Sequence, residues 1–558
     1  MVETKNYGRA SNCRSSPFFS ILTTEAYHIM KAMKTSILCL LILLSSSTLM
    51  AQGKLQWSTE HKIDGQKRIV AVQDGSIYLQ RSLRGYFQDS DYVSDLSKYD
   101  ASGQLTHVIP VENLENRSYQ EIAAVNTDMG IAIIYLSTHY QDDKYLLLAA
   151  QLYSHADLSP LEVIDLKKIK YTQGAKSTIR DYRDNNGLAD IEITYSADRS
   201  KLAVSYVEER VGNDRYSKID FSVYSLDNKL TEVNTGIIRT EERSDKYQLQ
   251  DISVNNRGDL AYLMKEYKDN RNIEFVDKRP GYRYSLYYFP KGRTEFIYDI
   301  PSQQYYIDNM QVVLDDEGML YTNGMVREKP SNDIYGTFTT KVDTVGIKVY
   351  ENTQLYSKRE IKKIRGKEKR NIRENYDILD MLIEGDKLYA VYEYYDIRRE
   401  GFNDPRFMNN GLNRPLDFVD YAYKEDILLH GLSTATGDRL WTTVLPKRTS
   451  DFDAYEQYTT GNMWLHDGSI YLLSNETEGN LTRIKEGKNP RGLDLPGRTA
   501  VLLLQKVTPD GQADKIVLKE QDRYLIMNEG SLMVDNALYL LVSHRNDRNF
   551  KLSIAPLR

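Results

Sequence analysis

Five polar residues, Asp190, Asp251, Asn309, Asp380 and Asn462, recur near the start of one repeated segment. Carboxylate and amide oxygens arriving from separate segments are what a hard cation needs, because Ca2+ takes about six to eight oxygen ligands. These five are the candidate metal set, and Ca2+ is the one cofactor they point to. The competing role is hydrogen bonding to the backbone of the neighbouring segment, the usual fate of a buried polar group. A second set lies between Asp396 and Asp420, a long connection holding Arg398, Arg399, Phe402, Asp404, Arg406, Phe407 and Arg414. Connections carry recognition more often than scaffolds do, so these are candidate partner contacts. A third set, Lys362, Lys363 and Arg365, sits in the run 358–373, which has nine Lys or Arg against two Glu. Such a run attracts an anion such as a lipid phosphate or an acidic glycan, or serves as a solvated, partly helical connector.

Familiar enzyme signatures are missing. The chain has no G-x-S-x-G elbow, no H-E-x-x-H and no phosphate-binding P-loop. Its histidines, including His61, His107, His430 and His466, are scattered without metal-ligand spacing. The stretch Asp181–Gly187 resembles a calcium loop, but placing its Gly at the fixed turn position puts Tyr182 and Ile193 where ligands belong. No catalytic residue is assigned.

Lys31 and Lys34 precede the apolar run Ile37–Leu44, and a Ser-rich segment then ends at Ala51. That is the layout of a secretory signal, too short for a bilayer span of about 20 residues. The expected organisation is an upstream leader over 1–29, a signal peptide over 30–51 and one domain over 52–558. Translation is expected from Met30 or Met33 rather than Met1. The destination is the periplasm or the outer surface, with no membrane-spanning anchor after cleavage and no nucleic-acid partner. Both cysteines, Cys13 and Cys39, precede the cut, so the mature chain has no disulfide and no thiolate chemistry.

The elements that must position these residues are strands. The 558 residues are 41% hydrophobic and 27% charged, enough for a large core, and the net charge of -6 argues for no class of partner. Tyrosine outnumbers phenylalanine 43 to 13, which favours pleated surfaces with one dry and one wet side. Ile69–Tyr78 (IVAVQDGSIY) is echoed by Asn462–Tyr471 (NMWLHDGSIY), Asp380–Tyr389 (DMLIEGDKLY) and Gly530–Tyr539 (GSLMVDNALY). Each reads as strand, tight Asp/Gly/Asn turn, strand. A second hairpin follows several copies, as at Val501–Val507, turning at Pro509–Gly511. Four antiparallel strands, A to D, therefore recur about eight times at a pitch of roughly 65 residues, the self-similarity of a repeat fold. The last copy lacks a strand D. The alternating segment Leu55–Ile63 is expected to supply it and close the ring, because closure removes exposed edges. The expected fold is an all-β propeller.

Ala435–Trp441 (ATGDRLW) looks like one copy of the tryptophan-docking motif of eight-bladed quinoprotein-like propellers. The resemblance implies that Gly437 allows the turn and Trp441 packs between blades. It concerns architecture only and brings no cofactor or catalytic residue with it. In such a ring the A–B and C–D turns share one rim, and the B–C and D–A connections share the other. The insertions fall on the second rim. The expected function is a non-catalytic binding or scaffold propeller that engages an envelope protein or glycan there. The alternative is an envelope hydrolase or lyase acting on a glycan or peptide near the channel mouth.

Overall fold

The computed structural model describes residues 55, 57–62, 66–82, 94–111, 119–138, 145–170, 191–208, 216–243, 246–269, 275–276, 279–301, 305–327, 333–365, 372, 375–401, 418–452, 462–486, 488, 493–495, 500–544 and 549–556. They form the eight four-stranded antiparallel blades of a β-propeller; the sheet of blade 6 carries two further strands, and a two-stranded ribbon, Phe275–Val276 with Arg279–Pro280, stands apart. The innermost strands are Gln66–Gln73, Tyr119–Asn126, Ile191–Tyr195, Tyr247–Val254, Tyr306–Leu314, Tyr376–Glu384, Asn462–His466 and Tyr524–Val534. These starts fall within a few residues of 68, 120, 188, 247, 305, 376, 459 and 525, where the sequence repeat places them.

The front of the chain seals the ring. His61–Lys62 pairs with Asn549–Pro556 as the fourth strand of blade 8, in the register His61 to Phe550 and Lys62 to Asn549. Trp57 bridges Ser553, and the Ser58 amide donates to the Leu552 carbonyl at 2.8 Å. Glu60 accepts from Asn549 Nδ2 at 2.6 Å and from the Tyr524 hydroxyl. The His61 ring stacks on Phe550, which is fully buried, with centroids 5.0 Å apart.

The apolar core is not one mass. It is divided into eight principal slabs, one between each pair of neighbouring blades. Strands B and C are thus buried on both faces, as in Leu260–Tyr267, where every residue is buried. The outermost strands alternate instead, as in Lys348–Leu355. The tyrosine excess has a use in these slabs, because a phenol buries its ring and still offers a donor at its tip. Tyr78 donates to the His155 carbonyl (2.7 Å), Tyr282 to Ile307 (2.7 Å) and Tyr389 to Gly468 (2.8 Å), each in the next blade.

The tryptophan-docking geometry is present at the junction of blades 6 and 7. Gly437 has φ of +73°, and a Cβ there would meet the Tyr350 ring at 2.6 Å. The Trp441 indole lies between Gly431 and Gly511, and its N–H donates to the Pro509 carbonyl at 2.9 Å.

Three expectations need correction. The connection 396–420 is not all loop: strand B runs on to Gly401 and strand C begins at Phe418, so Arg398 faces Tyr421 and Arg399 faces Asp420 in an extended hairpin. Its flanks, rich in Tyr, Ile and Val, favour pairing over a loop. The insertion expected over Lys268–Arg283 on the same rim of blade 4 likewise ends inside strand C, since Tyr282–Phe289 pairs with Leu260–Tyr267. Third, Asp251, Asn309 and Asp380 do not mark strand starts. Strand A begins earlier at Tyr247, Tyr306 and Tyr376, which places the three polar residues in mid-strand.

Candidate functional site

Six inner strands carry a mid-strand register shift, in blades 1, 2, 4, 5, 6 and 8. A bulge breaks the alternation and re-aims the side chains beside it. Asp251 sits at the bulge of blade 4 and Asp380 at that of blade 6. The Asp251 carboxylate accepts from its neighbour Ile252 N (2.9 Å) and from Val312 N on the next inner strand (2.8 Å). Asn309 makes the corresponding link one blade further on, donating to the Tyr376 carbonyl (3.2 Å) and to Asp377 (2.6 Å). Asp380 accepts from Met381 N at 2.8 Å. Two of the five candidate metal ligands therefore tie inner strands together. Asn462 opens the inner strand of blade 7, and Asp190 lies outside the described residues. Among the described residues no group of three or more His, Cys, Asp or Glu is arranged to hold a metal ion.

The channel wall is acidic. Burial pushes the Asp251 carboxyl up to about 7, against its two amide donors, and the charges of Asp380 in blade 6 and Glu192 in blade 3 push the same way. Glu192 lies in the adjacent blade 3, whereas blades 4 and 6 are not neighbours, so Asp380 acts on Asp251 across the channel. Burial lifts Asp380 to about 6, opposed by the Met381 amide. It also raises Glu192, and it raises Glu121 against the pull of Arg68. Asp380 is exposed to the channel, but the surrounding blades crowd it, so a charge there is poorly solvated.

A pH dependence follows. The Asp251 carboxyl holds its proton more tightly folded than unfolded, so its contribution to stability is complete below about pH 4 and is lost as pH rises through about 7. With screening by channel water the loss is about 1–2 kcal/mol. Urea unfolding from pH 4 to 8 checks this: the difference between wild type and Asp251→Asn should shrink over that range. A constant difference contradicts the assignment.

The two rims differ. On the A–B rim, turns are bonded blade to blade: Asp198 N to Asn256 Oδ1 (3.2 Å), Asn256 Nδ2 to Asp316 Oδ2 (2.8 Å) and Gly468 N to Glu384 Oε2 (2.8 Å). On the other rim, insertions of blades 6 and 7 are joined. The extended hairpin of blade 6 pairs through Tyr421–Lys424 with Thr449–Phe452, and Leu493–Leu495 from the B–C insertion of blade 7 adds in parallel to Thr449–Asp451. Beneath this extension Lys447 is buried against Glu393, with Lys424 at 3.9 Å from the same carboxylate. Glu476 accepts from Asn480 Nδ2 at 2.6 Å, on the helix Glu478–Lys485. A charge set this deep is stable only with its partners in place, so it fixes the base of the extension.

Of the partner-contact candidates, Arg398 and Arg399 lie on that hairpin. Phe402, Asp404, Arg406, Phe407 and Arg414 lie outside the described residues. Lys362, Lys363 and Arg365 lie on the helix Lys358–Arg365, which buries Ile361 and Ile364. Ser357 and Glu360 form a reciprocal cap at its start: Ser357 N donates to Glu360 Oε2 (2.8 Å) and Glu360 N to Ser357 Oγ (3.2 Å). Lys363 donates to the Thr442 carbonyl, and Arg439 pairs with Glu360 at 2.9 Å. The helix is thus bound to blade 6.

A feature not read from the sequence is a cavity of about 580 Å³ in the channel, reaching the A–B turns. Blades 1, 2, 3, 7 and 8 line it, with Arg68, Tyr195, Arg199, Asn462 and Trp464 among its walls. Trp464 holds a place in the repeat where other copies have Ala71, Leu382 and Leu532, and that contrast was the available signal.

No family model matches the chain, and no curated protein matches it. Solved structures do. The polysaccharide lyase Uly1 aligns at a TM-score of 0.35 and 11% identity over 91% of this chain and 100% of its own. The β-propeller domain of the trilobed protease from Pyrococcus furiosus aligns at 0.32 and 8%, over 83% and 99%. An ulvan lyase described as a new polysaccharide lyase family aligns at 0.33 and 9%, over 84% and 97%. At such identities function does not transfer, and the fold rests on the strand order given above.

Proposed function

We propose that this chain is an exported binding or scaffold propeller of the bacterial cell envelope, which engages a protein or glycan through its B–C and D–A rim. The observation that carries this reading is the joining of the blade 6 and blade 7 insertions into one extension above the ring. Separate decorative loops have no reason to share a ladder, whereas a docking platform needs one rigid frame. Lys31 and Lys34 ahead of the apolar run Ile37–Leu44 support export.

The test replaces residues 402–417 by a two-residue Asn-Gly turn between Gly401 and Phe418. The tagged wild-type chain is expected to retain an envelope component from its own source that the trimmed chain, with unchanged thermal midpoint, loses. Equal retention by both overturns the rim assignment. Fractionation of cells expressing the chain from Met30 should place a product beginning at Gln52 outside the cytoplasm.

A second reading, a hydrolase or lyase of the channel, is favoured by the carboxyls of Asp251 and Asp380, both protonatable near neutrality. Turnover of a glycan or peptide lost in Asp380→Asn supports it.

A further inference from the structure

The channel cavity lies away from the accessory extension, and its walls have a chemistry of their own. Arg199 occupies the A–B turn of blade 3 with φ of +57°. The same turn position holds Gly258 (φ +90°) in blade 4 and Gly318 (φ +89°) in blade 5. A left-handed backbone suits glycine and strains an arginine, and strain of this kind persists where a side chain is required. The Arg199 guanidinium has no carboxylate partner among the described residues, and its contact is the Tyr195 ring at 5.8 Å. Across the cavity, Trp464 backs onto the apolar slab between blades 7 and 8, and its indole N–H has no partner among the described residues. Tyr195 is 37% exposed. Two aromatic surfaces and two uncommitted donors thus line one space.

The charges beside them are already engaged. Asp198 accepts from Ser196 (2.6 Å) and from Ser200 N (2.8 Å), Asp227 lies 3.8 Å from Lys201, and Arg68 lies 3.6 Å from Glu121. An anion in the cavity would meet Asp128, Asp198 and Asp227 on its walls, and a cation would meet Arg68 and Arg199. A neutral ring bearing several hydroxyls meets neither penalty. Each hydroxyl both donates and accepts, so it can bond guanidinium, amide and carboxylate alike. The C–H face of such a ring packs on an indole or a phenol. The cavity volume lies within the range of small-ligand pockets.

We infer that the A–B mouth of the channel binds a neutral saccharide, with Arg199 hydrogen-bonded to ring hydroxyls and Trp464 providing a stacking face and its N–H. This site is independent of the rim proposed above to dock an envelope partner.

Tryptophan emission reports it, because the chain contains three Trp residues and Trp464 is the one on the cavity wall. The full chain is titrated with the methyl glycosides of glucose, galactose, mannose, rhamnose and N-acetylglucosamine, with cellobiose and lactose, and with glucuronate as the charged control. At least one neutral sugar is expected to shift the emission saturably, and glucuronate is not. Arg199→Gly is the decisive variant. Relief of the left-handed strain should hold or raise the thermal midpoint by a few degrees, while affinity for that sugar falls by roughly tenfold or more. Trp464→Phe should keep weakened binding by calorimetry and lose the emission change. Failure of every neutral sugar to bind, unchanged affinity in Arg199→Gly, or tighter binding of glucuronate each overturns the inference. The trimmed 402–417 variant should bind the sugar as wild type does, which separates failure here from failure of the rim reading.

Discussion

Deletion of residues 55–62 is expected to open the ring and give a chain that unfolds early and aggregates. Those residues supply the last ladder partner of blade 8, so their loss bares the backbone edge of Asn549–Pro556. An unpaired edge of that length is a template for pairing with a second molecule. Phe550 loses the His61 ring stacked on it, and Tyr99 loses its edge contact with the same ring at 5.0 Å. Uncovering part of one large aromatic cluster together with the lost ladder bonds comes to about 3–5 kcal/mol. Urea unfolding followed by tyrosine fluorescence should show a lower midpoint, and light scattering should show concentration-dependent association. A peptide spanning 52–65 added in excess should restore the midpoint by mass action. A deleted chain with the wild-type midpoint would mean that blades 1 and 8 hold the ring closed through their slab alone. Phe550→Ala serves as the point control, because it empties the same slab without touching the ladder.

What local sequence carries and what it does not can be seen in particular residues. The repeat around Asp74–Gly75, Asp467–Gly468 and Asp535–Asn536 was legible because a two-residue hairpin demands those residue types at a left-handed turn. From that register the eight inner strands and the sealing strand followed. The bulges were not legible. A bulge inserts one residue and leaves the composition of the strand unchanged, so Asp251 and Asp380 read as strand starts when they are mid-strand kinks. Nor was the pairing of Leu493–Leu495 with Thr449–Asp451, since it joins insertions of two different blades and has no local signal. The channel cavity has no signal in the long connections, because its walls come from the inner strands and the short turns that follow them. Superimposing Ser196–Ser200 on Asn255–Asp259 and Asp315–Met319 would have exposed Arg199 at a glycine position.

The junction of blades 6 and 7 gives the other large expected effect, and it tests the blade-to-blade packing itself. Trp441 lies on two glycines. A Cβ at Gly511 would stand 2.5 Å from the indole, and Gly431 is closed off by the other edge of the same ring. Trp441→Ala should therefore destabilise the ring by about 2–4 kcal/mol, somewhat below the range for a fully buried aromatic because the indole is only partly buried. Trp441→Phe keeps most of the packing and loses the bond to the Pro509 carbonyl, for about 1–2 kcal/mol. Gly511→Ala meets two obstacles, the indole and its own φ of +81°, which together come to about 2–4 kcal/mol. Only the second obstacle survives when the indole is gone, and the new methyl then fills part of the void. The double variant should accordingly be more stable than the sum of the single effects predicts, by about 1–3 kcal/mol. Urea midpoints of the four proteins, at one pH and with a common slope, measure that coupling. Additive losses would mean that the indole does not rest on Gly511, and that the two blades are held by their aliphatic slab without it.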